Sequence, residues 1–453
     1  MWPMIASLEP IVQALAPAFT LPSFHTHCQI LLGWVMCLGQ HRLCRVADSA
    51  RPYELRDHAR RHGLDTTYNF FERSAWTVPG LAYRVAVLIL TRLNLTGAIT
   101  LLVDDTLTHK RGRQVWGLGW FRDGVASTRK RTATASGHNW VVVAVAVGLP
   151  FAGAPVLALP LLARLHRPGK AQPSCPRLAR EMVAEVLAWF PGRRFILVAD
   201  GAYAAQALLA GLDARVTFVG RLRGDAAVYD PRVPAARRGQ RGPKAKKGPR
   251  LPSPKGAAAK ADRKRSATGG WRWQEVTVTA YGEVRPLRAL AYEVVWPTVL
   301  GLRPVRVVVV RDPEGRLQDG YLFTTDVQAP AAWVVTQFAR RWSIEVLFRA
   351  SKQVLDIQAP RHYSREAVEK VAPWVWSLQS VLMVWYLTAG RDLPEAEELR
   401  GVMGEWDSEW SLRHMAAVLR RATLNATIEP MSGEPAELLK LIEALKNCVN
   451  LAA

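Results

Sequence analysis

The sequence predicts an α/β protein with a strand-rich middle and helical regions on either side of it. Two short runs, the mainly apolar Ile99–Val103 and the wholly apolar Phe195–Ala199, are each followed by aspartate. Such runs are typical of buried strands that present functional groups at their carboxyl ends. Residues 271–310 contain stretches of alternating apolar and polar side chains, which predict further strands. Residues 1–95 and 326–453 carry helical patterns instead.

The composition favours a large globular protein that binds a polyanion. The chain has 453 residues, of which 49% are hydrophobic, so it can bury a sizeable core in two or three domains. Its formal net charge of +22 favours nucleic acid as the partner. An anionic membrane surface is the alternative, but no anchoring signal supports it. Five cysteines without a C-x-x-C pair argue against a disulfide framework or a zinc site.

The apolar stretch 371–390 is long enough to cross a bilayer, but we interpret it as a buried core helix. It contains Pro373, Ser377 and Gln379, and charged helical segments flank it. The N-terminus lacks the basic region, the long apolar run and the cleavage site of a signal peptide. We therefore expect a protein of the reducing cytoplasm with no membrane partner.

The first 95 residues predict a small helical unit with a basic face. Helical patterns cover Leu31–Met36 and Val78–Leu93. Between them lies a basic segment, residues 41–62, which carries Arg42, Arg45, Arg51, Arg56, Arg60 and Arg61. The unit is either a DNA-binding module or a helical bundle that only packs on the next domain, and no helix-turn-helix spacing decides between the two.

A β-rich insertion is predicted at 221–325, after a strand at 216–220. Within it, residues 231–270 hold 13 Lys and Arg against one acid and are rich in Gly, Pro and Ala. This composition predicts a flexible basic loop that contacts phosphates, with a solvated linker as the alternative. The sequence divides into five regions: 1–95, 96–220, 221–325, 326–390 and 391–453. In the last region, helices are expected at 406–424 and 435–449.

The stretch from Phe338 to Lys352 predicts one continuous helix, because it has no Gly or Pro and consists of good helix formers. Trp342 and Val346 are expected to point towards the core. Four other side chains fall within an arc of roughly 60° on one face: Phe338, Arg341, Glu345 and Lys352. An ordinary solvated face with ion pairs is the alternative interpretation.

Three carboxylates from two strand ends and this helix suit phosphodiester chemistry. They are Asp104 or its neighbour Asp105, then Asp200, and Glu345. Carboxylate oxygens bind hard divalent cations, and two such ions can activate a water or a 3′-hydroxyl and stabilise the leaving oxygen. Arg341 and Lys352 would hold phosphates beside them. Carboxylate pairs also serve glycosidases, but a sugar polymer gives no reason for a charge of +22.

These residues carry a resemblance to a known family. The series Phe338-x2-Arg341-x3-Glu345-x6-Lys352 resembles the Y-x2-R-x3-E-x6-K signature of DDE transposases from bacterial insertion sequences. The D-x-T beginning at Asp104 and the V-A-D-G-A-Y around Asp200 resemble the motifs of their two catalytic aspartates. The D-x-T form favours Asp104 over its neighbour as the ligand. Phe338 departs from the signature, which has Tyr there.

The resemblance implies an RNase H-like catalytic core with the β-rich insertion between Asp200 and Glu345. It implies cleavage of double-stranded DNA at element ends and strand transfer into target DNA, with Asp104, Asp200 and Glu345 as ligands of Mg²⁺, for which Mn²⁺ substitutes. Arg341 and Lys352 would grip DNA, and we add Arg221. A homodimer in a synaptic complex, associated with the bacterial nucleoid, is expected.

Two other functions remain open on the same fold. One is a domesticated DNA-binding protein, and the other is a structure-specific nuclease. The intact acidic triad argues against a pure binder, which gains nothing from like charges facing a polyanion. In some relatives a Trp of the insertion stabilises a flipped base, and Trp271, Trp273 and Trp296 are candidates that no motif separates.

Overall fold

The structure is a computed structural model that describes residues 5–51, 64–128, 130–149, 155–233, 246–263, 271–280, 283–402 and 408–428. Some predictions fall outside these residues. They are those for Arg56, Arg60 and Arg61, for 234–245 and 264–270 of the basic loop, and for a helix at 435–449.

Helices make up the described part of the chain before the first strand. They are α1 (Glu9–Gln13), α2 (Leu21–Met36), α3 (Leu43–Ala50), α4 (Leu64–Glu72) and α5 (Val78–Arg92). The helix α5 begins after Thr77, whose hydroxyl accepts a hydrogen bond from the Gly80 amide at 3.2 Å and so caps the first turn. The prediction of a helical N-terminal region is confirmed.

The half of the sheet formed by the first six strands has the strand order of the RNase H-like fold. Its strands are β1 (Ile99–His109), β2 (Gly119–Arg122), β3 (Thr134–Gly148), β4 (Val156–His166), β5 (Phe195–Ala199) and β6 (Val216–Arg221). The order is β4-β3-β1-β5-β6, in which β3 runs antiparallel to its two neighbours and β1, β5 and β6 run parallel. The short β2 adds to the other end of β3. The predicted fold class is confirmed.

Helices cover both faces of this sheet, which is why its central strands are continuous apolar runs. On one face lie α6 (Cys175–Trp189) and the short α7 (Gln206–Leu209). On the other face lies α12 (Arg365–Thr388), whose Trp376 meets Trp140 of β3 edge-to-face at 5.8 Å.

The insertion extends the same sheet instead of forming a separate one. Its elements are α8 (Pro254–Arg263), β7 (Gln274–Ala280), β8 (Glu283–Val295), α9 (Pro297–Leu300), β9 (Pro304–Arg311) and β10 (Gly320–Thr324). β10 pairs antiparallel with β6, and β9, β8 and β7 follow in order. The sheet therefore contains 10 strands among the described residues.

The prediction of a flexible loop throughout 231–270 is wrong for residues 254–263. This segment is the helix α8, and it buries Ala257, Ala258 and Ala261. The three alanines recur at helical spacing and give the segment an apolar face despite its basic composition.

Five helices complete the described chain: α10 (Ala331–Ala339), α11 (Trp342–Gln353), α12 as above, α13 (Pro394–Val402) and α14 (Leu412–Ile428). Nearly all of α12 is buried, which confirms the interpretation of 371–390 as a core helix. Among the helices of the described ranges, none combines the length and the apolar character that a bilayer crossing requires.

The prediction of one continuous helix from Phe338 to Lys352 is wrong, because the chain breaks it at Arg340 and Arg341. There the amides bond three residues back, Arg340 to Gln337 at 3.2 Å and Arg341 to Phe338 at 3.0 Å, as in a 3₁₀ turn. This tighter turn lets both guanidinium groups reach β1: Arg340 bonds the Thr100 hydroxyl at 3.4 Å, and Arg341 bonds Asp104.

Trp342 and Val346 were expected in the core, and this is also wrong: they are 43% and 46% exposed. The buried face of α11 is formed by Ile344, Leu347, Phe348 and Ser351, which recur at intervals of three and four.

The N-terminal helices share one core with α12. Trp374 of α12 packs 5.4 Å from Trp34 and edge-to-face with Phe71 at 5.7 Å, and its indole donates to His27 Nδ1 at 3.0 Å. This packing favours the helical-bundle alternative for the region, and a DNA-binding role for it stays a prediction.

Candidate active site

Two aspartates lie at the same level of two neighbouring parallel strands, Asp104 within β1 and Asp200 directly after β5. In the pairing of β1 with β5, Val103 lies opposite Ala199, so Asp104 and Asp200 are the next residue of each strand. Adjacent strands are about 4.8 Å apart. The two residues therefore lie side by side, but the prediction that the first strand ends at its aspartates is wrong, because β1 continues to His109 by pairing with β3.

Asp104 has an environment that disfavours its charge. Burial, together with the neighbouring charge of Asp200, raises the pKa of Asp104 to about 7, and the Arg341 guanidinium acts in the opposite direction. A carboxylate in this position is stabilised by any cation placed between it and Asp200.

Arg341 joins the strand end to the helix. Its Nη1 lies 3.0 Å from Asp104 Oδ2, and its Nη2 lies 2.6 Å from Glu345 Oε1. The Arg341 side chain is only 16% exposed. Its guanidinium also lies over the Phe338 ring, 5.7 Å from the centroid. Arg341, directly before α11, thus contacts both Glu345 of the first turn and Asp104 of β1.

Asp105 points to the opposite face of the sheet. Its carboxylate accepts hydrogen bonds from the Tyr203 hydroxyl at 3.0 Å and from Asn139 Nδ2 at 3.1 Å. Alternation along β1 separates it from its neighbour, so Asp104 is the one that faces Arg341 and Glu345. The choice of Asp104 agrees with this geometry.

Tyr203 and Asn139 were missed as partners of the acidic pair. Tyr203 lies three residues after Asp200, within the V-A-D-G-A-Y stretch, and its burial raises its pKa well above the usual range. The sequence could have indicated this role for Tyr203, because a tyrosine so close to the motif of Asp200 has carboxylates nearby that can accept its hydroxyl proton. For Asn139, on β3, it held no signal.

Arg221 lies next to Asp200. β6 pairs with β5 so that Gly220 is opposite Ala199, and Arg221, the next residue, is exposed. Lys352, by contrast, is not part of the Asp104 cluster. It lies two turns further along α11, half-buried, where burial lowers its pKa and the charge of Asp123 acts in the opposite direction.

Asp104, Asp200 and Glu345 are side chains of the type that binds divalent cations, although Arg341 forms hydrogen bonds with two of them, Asp104 and Glu345. Across the described ranges no three His, Cys, Asp or Glu side chains converge closely enough to hold a metal ion. Asp104 and Asp200 nevertheless stand close enough for one charge to disfavour the other, and carboxylate oxygens are the ligands that Mg²⁺ and Mn²⁺ prefer. A metal ion at Asp104 and Glu345 therefore requires Arg341 to move away.

The three Trp residues of the insertion are engaged by the protein itself. Trp271 packs against Tyr292 at 4.4 Å, and Trp296 meets Phe323 edge-to-face at 5.5 Å. Trp273 lies under the guanidinium of Arg311 at 4.4 Å. These packing interactions do not identify any of the three as a nucleotide contact.

Comparison with known proteins gives one family. The sequence profile described as "DDE superfamily endonuclease" matches residues 14–282, which include both aspartates but not Glu345. Endonucleases of this superfamily generally use divalent metals. No curated protein matches the chain in sequence.

One similar solved structure is a piggyBac transposase synaptic complex with hairpin DNA. It is 11% identical to this chain, and the alignment covers 98% of this chain and 80% of that one, with a TM-score of 0.37. A likeness at that score carries no weight for function. The family profile covers more than half of the sequence, and the chain belongs to the DDE superfamily endonucleases.

Proposed function

We propose that this protein is a DNA transposase that cuts the ends of an insertion sequence and joins them to target DNA. The observation that carries the proposal is the meeting of Asp104 and Glu345 on the guanidinium of Arg341, with Asp200 level with Asp104 on the neighbouring strand. Membership of the endonuclease family and the net charge of +22 support it, because the substrate of such a site is a polyanion.

Asp104, Asp200 and Glu345 would hold Mg²⁺, with Mn²⁺ as a substitute. When bound there, the metal supplies Lewis-acid stabilisation of the attacking and leaving oxygens of a phosphodiester. The basic residues of the chain would bind the DNA phosphates. Arg341, once displaced from the carboxylates, is placed to pair with a DNA phosphate through two parallel hydrogen bonds.

Arg221 and Lys352 flank the carboxylates and would hold the DNA on either side. Arg221 emerges beside Asp200 in the next strand, and Lys352 lies two turns beyond Glu345 on α11. A strand that passed over the sheet edge from one to the other would bring its phosphates past the acidic cluster. Action as a homodimer on paired element ends, in a bacterial nucleoid, belongs to the same proposal.

A domesticated DNA-binding protein is the second candidate. The raised pKa of Asp104 weighs against it, because burial of like charges destabilises the protein and serves a binder in no way. A structure-specific nuclease would use the same carboxylates and differ only in lacking strand transfer.

The test is cleavage of a DNA fragment that contains the gene with its flanking sequence. Wild type, Asp200→Asn and Glu345→Gln are compared with and without Mg²⁺, and Glu369→Gln, which alters an exposed ion pair with Arg365, is the matched control. We expect metal-dependent cuts at the element ends for wild type and control. The two site variants should lose on the order of 10²-fold or more in rate while binding DNA normally.

Binding without any cutting, equal in all four proteins, would replace the transposase with the domesticated binder. Cuts without joined products in the presence of target DNA would favour the nuclease.

A further inference from the structure

The short strand β2 carries an indole that no part of the described protein covers. Trp120 is 73% exposed, and among the described residues its ring makes no ring, cation or hydrogen-bond contact. By contrast, Trp116 nearby lies under the guanidinium groups of Arg167 at 4.9 Å and Arg365 at 5.4 Å. An exposed indole is free to stack on the ring of a partner.

Trp120 lies on the same face of the sheet as Asp104. In β3, Val142 pairs with Asp104 and Ser136 pairs with Trp120, and the β1–β3 register has no shift between them. Residues directly opposite in a ladder share a face, and so do residues an even number apart in one strand. The same reasoning puts Arg122 on this face.

The spacing matches a DNA path. Lys110 follows β1 and is six residues beyond Asp104. Its backbone amide donates to the carbonyl of Ser136, the residue that pairs with Trp120. At about 3.4 Å per residue this is about 20 Å, which corresponds to roughly six base-pair steps. α11 runs over this face, and its Lys352 lies near Asp123, the residue after β2.

The surroundings of Trp120 are basic. We name the hairpin patch by its exposed members: Arg111, Arg113, Trp120, Arg122, Lys130 and Arg131. The one acid between residues 110 and 133 is Asp123, and it is not directed at solvent. Its carboxylate bonds His109 at 2.8 Å and the amide of Val125 at 2.9 Å, which anchors the hairpin to β1.

We propose that the hairpin patch is a second DNA contact, in which the cations bind phosphates and Trp120 stacks on an unpaired base roughly six nucleotides from the cleavage position. This rests on the proposed function and extends it to the form of DNA that is bound. Base faces are hidden in an intact duplex, so a free indole gains most from a strand that is frayed or already cut. Aromatic stacking beside cationic side chains is how proteins bind single strands without sequence preference.

The experiment measures binding in EDTA by fluorescence anisotropy for two DNA probes. One is a 30-base-pair blunt duplex, and the other is the same duplex with a three-nucleotide single-stranded extension that carries 2-aminopurine. Wild type should prefer the extended DNA, and Trp120→Ala should lose about tenfold in affinity for it, with little change for the blunt duplex. Trp120→Phe should keep most of the preference.

Two further readouts separate stacking from charge. The fluorescence of 2-aminopurine should be quenched by wild type and not by Trp120→Ala. Arg122→Ala should weaken binding of both probes and lower the salt slope by about one unit. Leu302→Ala, at a 54% exposed side chain between α9 and β9, is the control and should behave as wild type.

Equal binding of both probes by wild type and Trp120→Ala would overturn the proposal. So would a change in oligomeric state in Trp120→Ala with DNA binding intact, which would make the patch an interface between copies of the chain. If wild type still cut the element ends in either case, the transposase assignment would stand and only the hairpin patch would be wrong. If wild type bound neither probe, both would fail.

Discussion

Arg341 places its Nη1 3.0 Å from Asp104 Oδ2, and so a cation of the chain itself stands where two carboxylates would receive a metal ion. The other terminal nitrogen holds Glu345 at 2.6 Å. Without a cation, three carboxylates at one sheet edge would repel each other, so this arrangement stabilises the metal-free protein. It also makes guanidinium and metal competitors for the same oxygens.

Arg341→Met should therefore have opposite effects with and without metal. Without metal, the free energy of unfolding should fall by about 3 kcal/mol, because a largely buried ion pair loses one partner. With Mn²⁺, the rise in Tm should exceed that of wild type. Arg349→Met, an exposed position on the same helix, is the control. A Mn²⁺ shift no larger than that of wild type would show that Arg341 does not compete with metal.

Asp105 provides a contrast with Asp104 at the adjacent position. Asp105→Asn should keep DNA cleavage but lower the free energy of unfolding by about 1–2 kcal/mol, because its bonds to Tyr203 and Asn139 are weakened. Asp104→Asn should abolish cleavage. The measurements are single-turnover cleavage and urea denaturation. Loss of cleavage in Asp105→Asn at full occupancy of folded protein would mean that the two roles are reversed.

Lys352→Ala should weaken DNA binding and reduce the salt slope by about one unit, since one phosphate contact is removed. Arg92→Ala is the matched control. Its side chain is exposed at the end of α5, near the start of β1 and so at the edge of the sheet away from Asp104. Titrations at several salt concentrations measure the slope. An unchanged slope for Lys352→Ala would exclude a phosphate contact at that position.

Acid should destabilise the protein through His27. Burial lowers the pKa of His27 to about 3, and its Nδ1 accepts the Trp374 indole proton, so the folded state holds it neutral. The unfolded state binds the proton below about pH 6.5. The stability from this depressed pKa is therefore fully present above pH 6.5 and is lost as the pH falls towards 3.

His27→Gln should be less stable at pH 7.5, but the loss between pH 7.5 and 5.5 should be smaller than in wild type by about 1 kcal/mol. Urea denaturation at the two pH values measures the difference. If the loss in the variant equalled that in wild type, protonation of His27 would not contribute to the acid sensitivity.

The sequence predicted the placement of side chains best where local pattern decides the structure. An apolar run followed by aspartate indicated two buried strands, and it placed Asp104 and Asp200 on neighbouring strands. The three-to-four spacing located Arg341 and Glu345 on one helix face. The extension of β1 beyond the aspartates to His109 was not predicted, because those residues pair only with β3, which is distant in sequence.

Features that depend on distant pairing could not be derived in this way. The insertion joins the main sheet because Phe323 of β10 pairs with Gly220 of β6, and no local pattern encodes that register. The break at Arg340 was not predicted either, and there Arg340 and Arg341 contact Thr100 and Asp104, which are distant in sequence. Trp342 was assigned to the core because it is apolar, but other residues, among them Ile344 and Leu347, form the buried face of α11.

The most direct test of the central claim is to map where a metal ion binds. Fe²⁺ takes carboxylate ligands, and with ascorbate and peroxide it releases radicals that cut nearby backbone. For wild type we predict cuts next to Asp104, Asp200 and Glu345, suppressed by excess Mg²⁺ and lost in Asp200→Asn. Cuts at other positions, or the same cuts in Asp200→Asn, would contradict a single metal site built from these three carboxylates.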